Sequence, residues 1–363
     1  MDFAAYYKFE CAKFIRHILI ITQKCKGGAM KTKIIITFIF AICLVFSGLA
    51  QAETIKLRFG SFIPAQHPQT KVQTAWAEKI GKLTNGKVNI KMFAGGALGK
   101  PMTQYMSLKK GVMDIAFVVP SYTPGEFPLT SFIDLPFLFE SGEKASKVLW
   151  KVYEKYLRDE YKDVVPLWMY TTEPGMFHTT KKQIKVLEDL KGLKLHTSST
   201  TSAKAMTKLG AVPMMGNITE WYESMERGVS DGVQVPMNTM PGFRFHEVCK
   251  YHTMTDFAVA GFLVAMNTNA FNKLPADVQK VIMDNSGLEM ASISGVTYDK
   301  VGEAGIGMGK KAGNTFYTLP PEERKRWVEK TLPVSEEWVE EMGKKGLPGK
   351  EVLEYVLELN SQF

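Results

Sequence analysis

Residues 187–196, Leu-Glu-Asp-Leu-Lys-Gly-Leu-Lys-Leu-His, end on an imidazole and run straight into the hydroxyl-rich loop Thr197-Ser198-Ser199-Thr200. A histidine with an ordinary pKa of about 6.5 is mostly uncharged at neutral pH, so His196 offers hydrogen bonds rather than a fixed charge. Serine, histidine and acidic residues are all present, but the chain carries no nucleophile elbow and no metal or redox motif. His67, His178, His196, His246 and His252 are scattered without metal-ligand spacing. The glycine-rich run 94–101 lacks the lysine and hydroxyl ending of a nucleotide loop and reads as a tight turn. The chemistry that remains is reversible binding, with no cofactor.

The elements that would position these groups alternate. Leu57–Phe59 is a short strand. Val72, Trp76, Ile80 and Leu83 fall on one face of a helix that Thr84-Asn85-Gly86-Lys87 stops. Val88, Ile90 and Met92 alternate with polar residues as in a half-buried strand. A helix over 102–110 ends at Gly111, and Ile115–Val119 is a continuous apolar run suited to a strand buried on both faces. The loop 120–125 follows at its carboxyl end, where open α/β sheets bind ligands. A helical stripe (Ala145, Val148, Leu149, Val152, Tyr153, Tyr156) and a strand over 164–170 come next. The pattern then repeats: strand 193–196, helix 200–209, helix 219–227, strand 233–235 and strand 263–266. From Pro275 a helix would reach about residue 314. Its seven glycines, each costing about 1 kcal/mol against alanine, leave its continuity open. Pro320-Pro321 open another helix, and 335–360 is helical. Strands alternating with helices predict an α/β fold with parallel or mixed sheets.

Composition fits two α/β domains of ordinary size: 363 residues, 45% hydrophobic and 23% charged. The formal charge of +8 is partly a leader effect, because removing residues 1–52 leaves 38 basic and 35 acidic residues. No Lys/Arg cluster calls for nucleic acid. Residues 30–52 read as a secretory signal peptide: Lys31 and Lys33, an apolar stretch 34–49, and the small-x-small site Ala50-Gln51-Ala52. Residues 1–29 fit no such pattern and read as untranslated or as a leader extension, with Met30 as the start. Cys11, Cys25 and Cys43 fall in the leader, so the mature chain keeps Cys249 alone and has no internal disulfide.

Five segments, in order, carry a resemblance: Thr84-Asn85-Gly86-Lys87-Val88, Asp134-Leu135-Pro136-Phe137-Leu138-Phe139, the 187–196 stretch, Leu209-Gly210-Ala211-Val212-Pro213 and Gly228-Val229-Ser230-Asp231-Gly232. Each is weak alone. Together they cover residues from about 55 to about 330, and the chain resembles the periplasmic solute receptors of tripartite ATP-independent (TRAP) transporters, the C4-dicarboxylate-binding receptor family. The resemblance implies a two-lobed periplasmic binding protein fold with hinge strands and a long lobe-spanning helix. Lobe I would be 53–171 plus 262–301, and lobe II 172–261 plus 302–363. The chain would be a monomeric, non-enzymatic receptor that hands a small-molecule solute to the small and large permease subunits. A sensor for a signalling partner and a cell-envelope enzyme on the same fold are the alternatives.

Members of that family usually hold a carboxylate with an arginine at the position of His196, since a guanidinium donates two parallel hydrogen bonds to it. A second family arginine falls near Met176 or Phe177, and a family asparagine falls at Val235, before Pro236. Three polar contacts thus become a histidine and two apolar residues, which predicts a more apolar pocket and an aromatic or partly apolar solute. His196 is either a ligand contact or a satisfied core histidine, and Met176 and Val235 either touch solute or pack the wall. Ile218 and Trp221 fit core packing better than stacking, and Asn238 suits either a polar contact or a surface turn. Phe62, Val119, Ser121, Tyr122 and Tyr170 would come from the first lobe, Phe177, Ser198 and Ser199 from the second, and Glu173 from the hinge. Arg244 and Lys204 are basic side chains that could replace the missing arginine.

Overall fold

Leu57 and Phe59 point inward from β1 (Ile55–Gly60) while Lys56 and Arg58 face solvent, the period-2 alternation of a half-buried strand. In the computed structural model, which describes residues 54–363, β1 pairs in parallel with β2 (Val88–Phe93) and β3 (Ile115–Val118). The antiparallel β10 (Gly261–Asn267) separates β3 from β4 (Val164–Thr171), giving the order β2-β1-β3-β10-β4. β3 and β10 are central, and their near-continuous apolar runs follow from burial on both faces. Helices α1 (Pro68–Leu83), α2 (Gln104–Lys109) and α3 (Gly142–Val152) serve this sheet.

The second sheet has the order β11-β9-β5-β8-β6-β7. Its strands are β5 (Met176–Thr179), β6 (Lys194–Thr197), β7 (Val212–Met215), β8 (Gly232–Val235), β9 (Tyr251–Met254) and β11 (Thr315–Thr318). Helices α4 (Thr200–Lys208), α5 (Ile218–Glu226) and α6 (Thr239–Phe243) belong to it. The strands β5, β7, β9 and β11, of four residues each, are too short to show a period in the sequence.

Two neighbouring connections link the sheets. Thr172 N donates to Ala260 O at 3.0 Å, and Gly175 N donates to Ala258 O at 2.7 Å, so residues 172–175 and 255–260 lie side by side. A third link is the helix α9 (Leu288–Lys311), preceded by α7 (Thr268–Asn272) and α8 (Ala276–Asp284). The helix expected from 275 to about 314 is therefore two helices, broken where Gly287 takes φ 71°. The five glycines inside α9, at 295, 302, 305, 307 and 309, do not break it. Gly295, Gly302 and Gly309 recur every seven residues on one face, and Gly305 lies beside them. A Cβ on Gly295 or Gly305 would collide with the carbonyl oxygens of Gly142 and Met237 respectively, and one on Gly302 would sit 2.6 Å from Glu173 Oε1. Backbone from both sheets lies directly on this face, and glycine is what the approach requires.

The C-terminal region differs from the continuous tail helix expected over 335–360. α10 (Pro321–Lys344) runs through Pro333 and stops before Gly346, which takes φ 71°, and α11 (Gly349–Gln362) begins after Pro348. α11 lies on the first-sheet side, where Asn360 Nδ2 donates to Leu138 O at 2.8 Å. The expected leader, 1–29 and 30–52, lies outside the described residues.

Candidate functional site

A cleft of about 680 Å³ opens between the sheets, within the range of small-molecule sites. Its first-sheet wall is aromatic. Phe62, from the loop after β1, sits 5.0 Å from Phe117 of β3 (centroid to centroid), and Phe117 sits 5.1 Å from Phe262 of β10. Phe262 is 5.6 Å from Tyr298 of α9, which stacks at 6.0 Å and 23° on Tyr170 of β4. Four elements that share no sequence neighbourhood thus build one continuous ring surface.

The second-sheet wall is more polar. Asn217 caps α5, accepting from Thr219 N at 3.3 Å, and shares the wall with Ile218 and Ser198. Arg244 follows α6 in the left-handed region, φ 59°, which a branched cationic residue occupies only at a cost. Its Nε and Nη2 donate to Glu247 at 2.7 and 2.8 Å, and its side chain remains 68% exposed, so the guanidinium is free to exchange Glu247 for another carboxylate. Lys100 is the second cation on the cleft and Glu220 its anion.

Behind this wall, Glu173 receives Asn238 N on Oε1 and Asn238 Nδ2 on Oε2, both at 2.7 Å. Burial pushes the Glu173 carboxyl up to about 8, so it is neutral at physiological pH and adds no charge to the cleft. His67 caps α1: its Nδ1 accepts from Gln69 N at 3.1 Å. Burial holds its pKa down to about 4, which keeps the ring neutral.

Of the residues singled out in the sequence, Phe62, Val119, Tyr122, Ser198, Ile218, Val235 and Asn238 line the cleft. Tyr170 is fully buried under the aromatic wall. Ser121 borders a separate cavity of about 130 Å³ with Thr130 and Asp134. Ser199 caps α4 and donates to Asp134 Oδ2 at 2.8 Å, a bond between the two sheets' segments. Met176 is paired with Val235 across the β5–β8 ladder, and Phe177 packs away from the cleft on Phe257 and Trp327. His196 is buried, stacks on Trp221 at 5.2 Å and 10°, and meets Ser224 Oγ through Nε2 at 2.9 Å. Its burial lowers its pKa. Lys204 lies on the surface, paired with Glu341 at 2.9 Å.

Several cleft residues escaped the sequence reading as site residues, among them Lys100, Asn217 and Glu220 and the ring residues His67, Phe117, Phe262 and Tyr298. Phe117 read as an ordinary strand residue, Phe262 fell just before the strand expected over 263–266, and Tyr298 read as a helix residue. Among these rings only His67 carries a local signal, since His67-Pro68 opens α1 as a cap followed by a proline.

The sequence model of the bacterial extracellular solute-binding proteins, family 7, matches residues 59–342. The C4-dicarboxylate-binding periplasmic protein DctP of Rhodobacter capsulatus is 29% identical over 315 residues, covering 84% of this chain and 92% of its own. A TRAP solute-binding protein from Rhodoferax ferrireducens, crystallised with copurified benzoate, superposes with TM-score 0.82 at 30% identity, over 85% of this chain and 98% of that one. A marine-metagenome TRAP solute-binding protein specific for aromatic acids, crystallised with 3-hydroxybenzoate, also gives 0.82, at 28% identity over 85% and 99% of the two chains.

Proposed function

The chain belongs to family 7 of the bacterial extracellular solute-binding proteins, and from that premise we propose that this solute receptor binds an aromatic monocarboxylate between its two lobes. The observation that carries the reading is the facing of Phe62, Phe117, Phe262 and Tyr298 by Arg244 across one cleft. A solute ring laid on that wall gains about 0.5–1.5 kcal/mol per aromatic contact beyond area burial. Its carboxylate takes the two parallel guanidinium hydrogen bonds that Glu247 holds in the unliganded protein. Arg244 thereby supplies the cation that the His196 position lacks. The benzoate and 3-hydroxybenzoate held by two structural relatives agree with a ring-bearing acid.

The remaining parts of the reading follow from the family. The lobes are built on 53–171 with 262–301 and on 172–261 with the chain from 302 to β11, while α10 and α11 return to the first lobe, where Asn360 bonds Leu138. They close about the connections at 172–175 and 255–260. The chain is exported by a signal peptide ending near Ala52, acts as a monomer without catalysis, and passes its solute to the small and large subunits of a TRAP permease.

A thermal-shift series on residues 53–363 tests the solute class. Benzoate and mandelate at 100 times their dissociation constants should stabilise the fold by about 2.7 kcal/mol, while succinate and glucuronate leave the melting temperature unchanged. A larger shift from succinate than from any aromatic acid sinks the reading.

A further inference from the structure

We propose that His67 and Tyr298 form a hydroxyl-reading subsite at the first-lobe end of the cleft, so that this receptor selects ring-hydroxylated aromatic acids over unsubstituted ones. The inference rests on the aromatic-carboxylate reading above and adds what the far end of the ring carries.

The donor pattern is set by the fold. His67 Nδ1 accepts the Gln69 N–H as the cap of α1, so the single proton of the neutral ring resides on Nε2. Nε2 has no protein partner among the described residues, and the ring borders the cleft. The Tyr298 ring lies 5.9 Å from the His67 ring, centroid to centroid, and borders the same cleft. Burial holds its phenol well above the ordinary value, so it stays an O–H group that can both donate and accept.

Behind these two rings lies more polar capacity than the protein uses. Gln73 Nε2 donates to Tyr170 Oη at 3.3 Å, while Gln73 Oε1 is buried with no partner. Tyr170 in turn stacks on Tyr298. The rings beside them, Phe62, Phe117 and Phe262, are hydrocarbon, and the other polar side chains of the first-lobe and hinge lining are Tyr122, Thr172 and Lys100. An unsubstituted ring pushed against His67 and Tyr298 would strip water from an N–H and an O–H and return nothing. A ring hydroxyl accepts from His67 Nε2 and exchanges a hydrogen bond with Tyr298 Oη. Sites that expect a hydroxyl reject the analogue without one more strongly than hydrocarbon pockets reject an extra one.

Calorimetric titration of the mature chain with benzoate, 3-hydroxybenzoate and 4-hydroxybenzoate tests this. One of the two hydroxy acids should bind roughly tenfold or more tightly than benzoate. In His67→Asn, which retains a capping side chain, and in Tyr298→Phe, which keeps its ring on the wall, the ratio of hydroxy-acid to benzoate affinity should shrink several-fold. Melting temperatures close to that of the wild type show that the variants are folded. Equal binding of all three acids by the wild type overturns the subsite and leaves the aromatic reading standing. So does a preference that survives in the double variant. Failure of all three acids to bind overturns both.

Discussion

Asp134 is a carboxyl group buried where the two lobes meet, with Ser199 Oγ donating to it at 2.8 Å. Burial pushes its pKa up to about 7, against the smaller opposing pull of that hydrogen bond. The folded protein therefore holds the proton more tightly than the unfolded chain does. Its contribution to stability is fully present below the ordinary carboxylate range and is lost as pH rises towards about 7. Asp134→Asn keeps an acceptor for Ser199 and removes the charge. Relative to wild type it should gain on the order of 2 kcal/mol at pH 8 and little at pH 4. Urea denaturation at the two pH values measures the difference, and a variant less stable than wild type at pH 8 would show that the ionised carboxylate is a favourable partner for α4. At this scale the sequence was half legible. It located Phe62, Tyr122 and Ser198 on loops that reach the cleft and the loss of an arginine at His196, but read the run 94–101, whose Gly95, Gly96 and Lys100 line the cleft, as a plain turn. It could not show that His196 turns onto Trp221, because stacking depends on α5, which is contiguous with β6 only in space. Nor could it choose between Arg244 and Lys204, since a surface pair with Glu341 and a left-handed turn at the cleft leave no local pattern.

The long helix α9 carries the glycines that sequence reasoning priced as helix breakers. Propensity alone counts each as a loss of about 1 kcal/mol, but tertiary packing reverses the sign where backbone lies against the helix. Gly305 meets the Met237 carbonyl, whereas a Cβ on Gly307 would meet nothing within 4 Å. Gly305→Ala should therefore lose about 1–3 kcal/mol to overpacking, more than the propensity gain. Gly307→Ala should gain up to about 1 kcal/mol. Melting curves of the two single variants decide the matter, and equal shifts in the same direction would mean that α9 is free to move off the second sheet. The element pattern was otherwise readable wherever a stripe or an apolar run exceeded about five residues, as in α1, α3, β3 and β4. Of the four-residue strands of the second sheet, β6 and β8 were read and β5, β7, β9 and β11 were not, since pairing partners lie 18 to 76 residues away, from Lys194↔Val212 to Phe177↔Thr253.

At the scale of the whole molecule, two adjacent connections and the helices α9 and α10 join a pair of α/β lobes around an aromatic cleft, with α10 bonded to Leu187 through Glu323 and to Ser131 through Trp338. On the reading proposed above, the arrangement binds by closing, with the lobes moving as rigid bodies and the few residues at 172–175 and 255–260 absorbing the motion. Glu173 sits at the junction, bonded to Asn238, which lines the cleft, and close against Gly302 of α9. Closure on an anion requires a cation that can leave its partner, and the exposed Arg244–Glu247 pair meets that requirement. A buried ion pair would not release its partner at so small a cost. The direct measurement is calorimetric titration of benzoate and its neutral isostere benzamide into the wild type and Arg244→Gln. Benzoate should bind the wild type at least roughly tenfold more tightly than benzamide does, and Arg244→Gln should remove most of that difference while leaving benzamide unaffected. Equal affinity for the two compounds, or a preference for benzoate that Arg244→Gln leaves intact, would contradict the account.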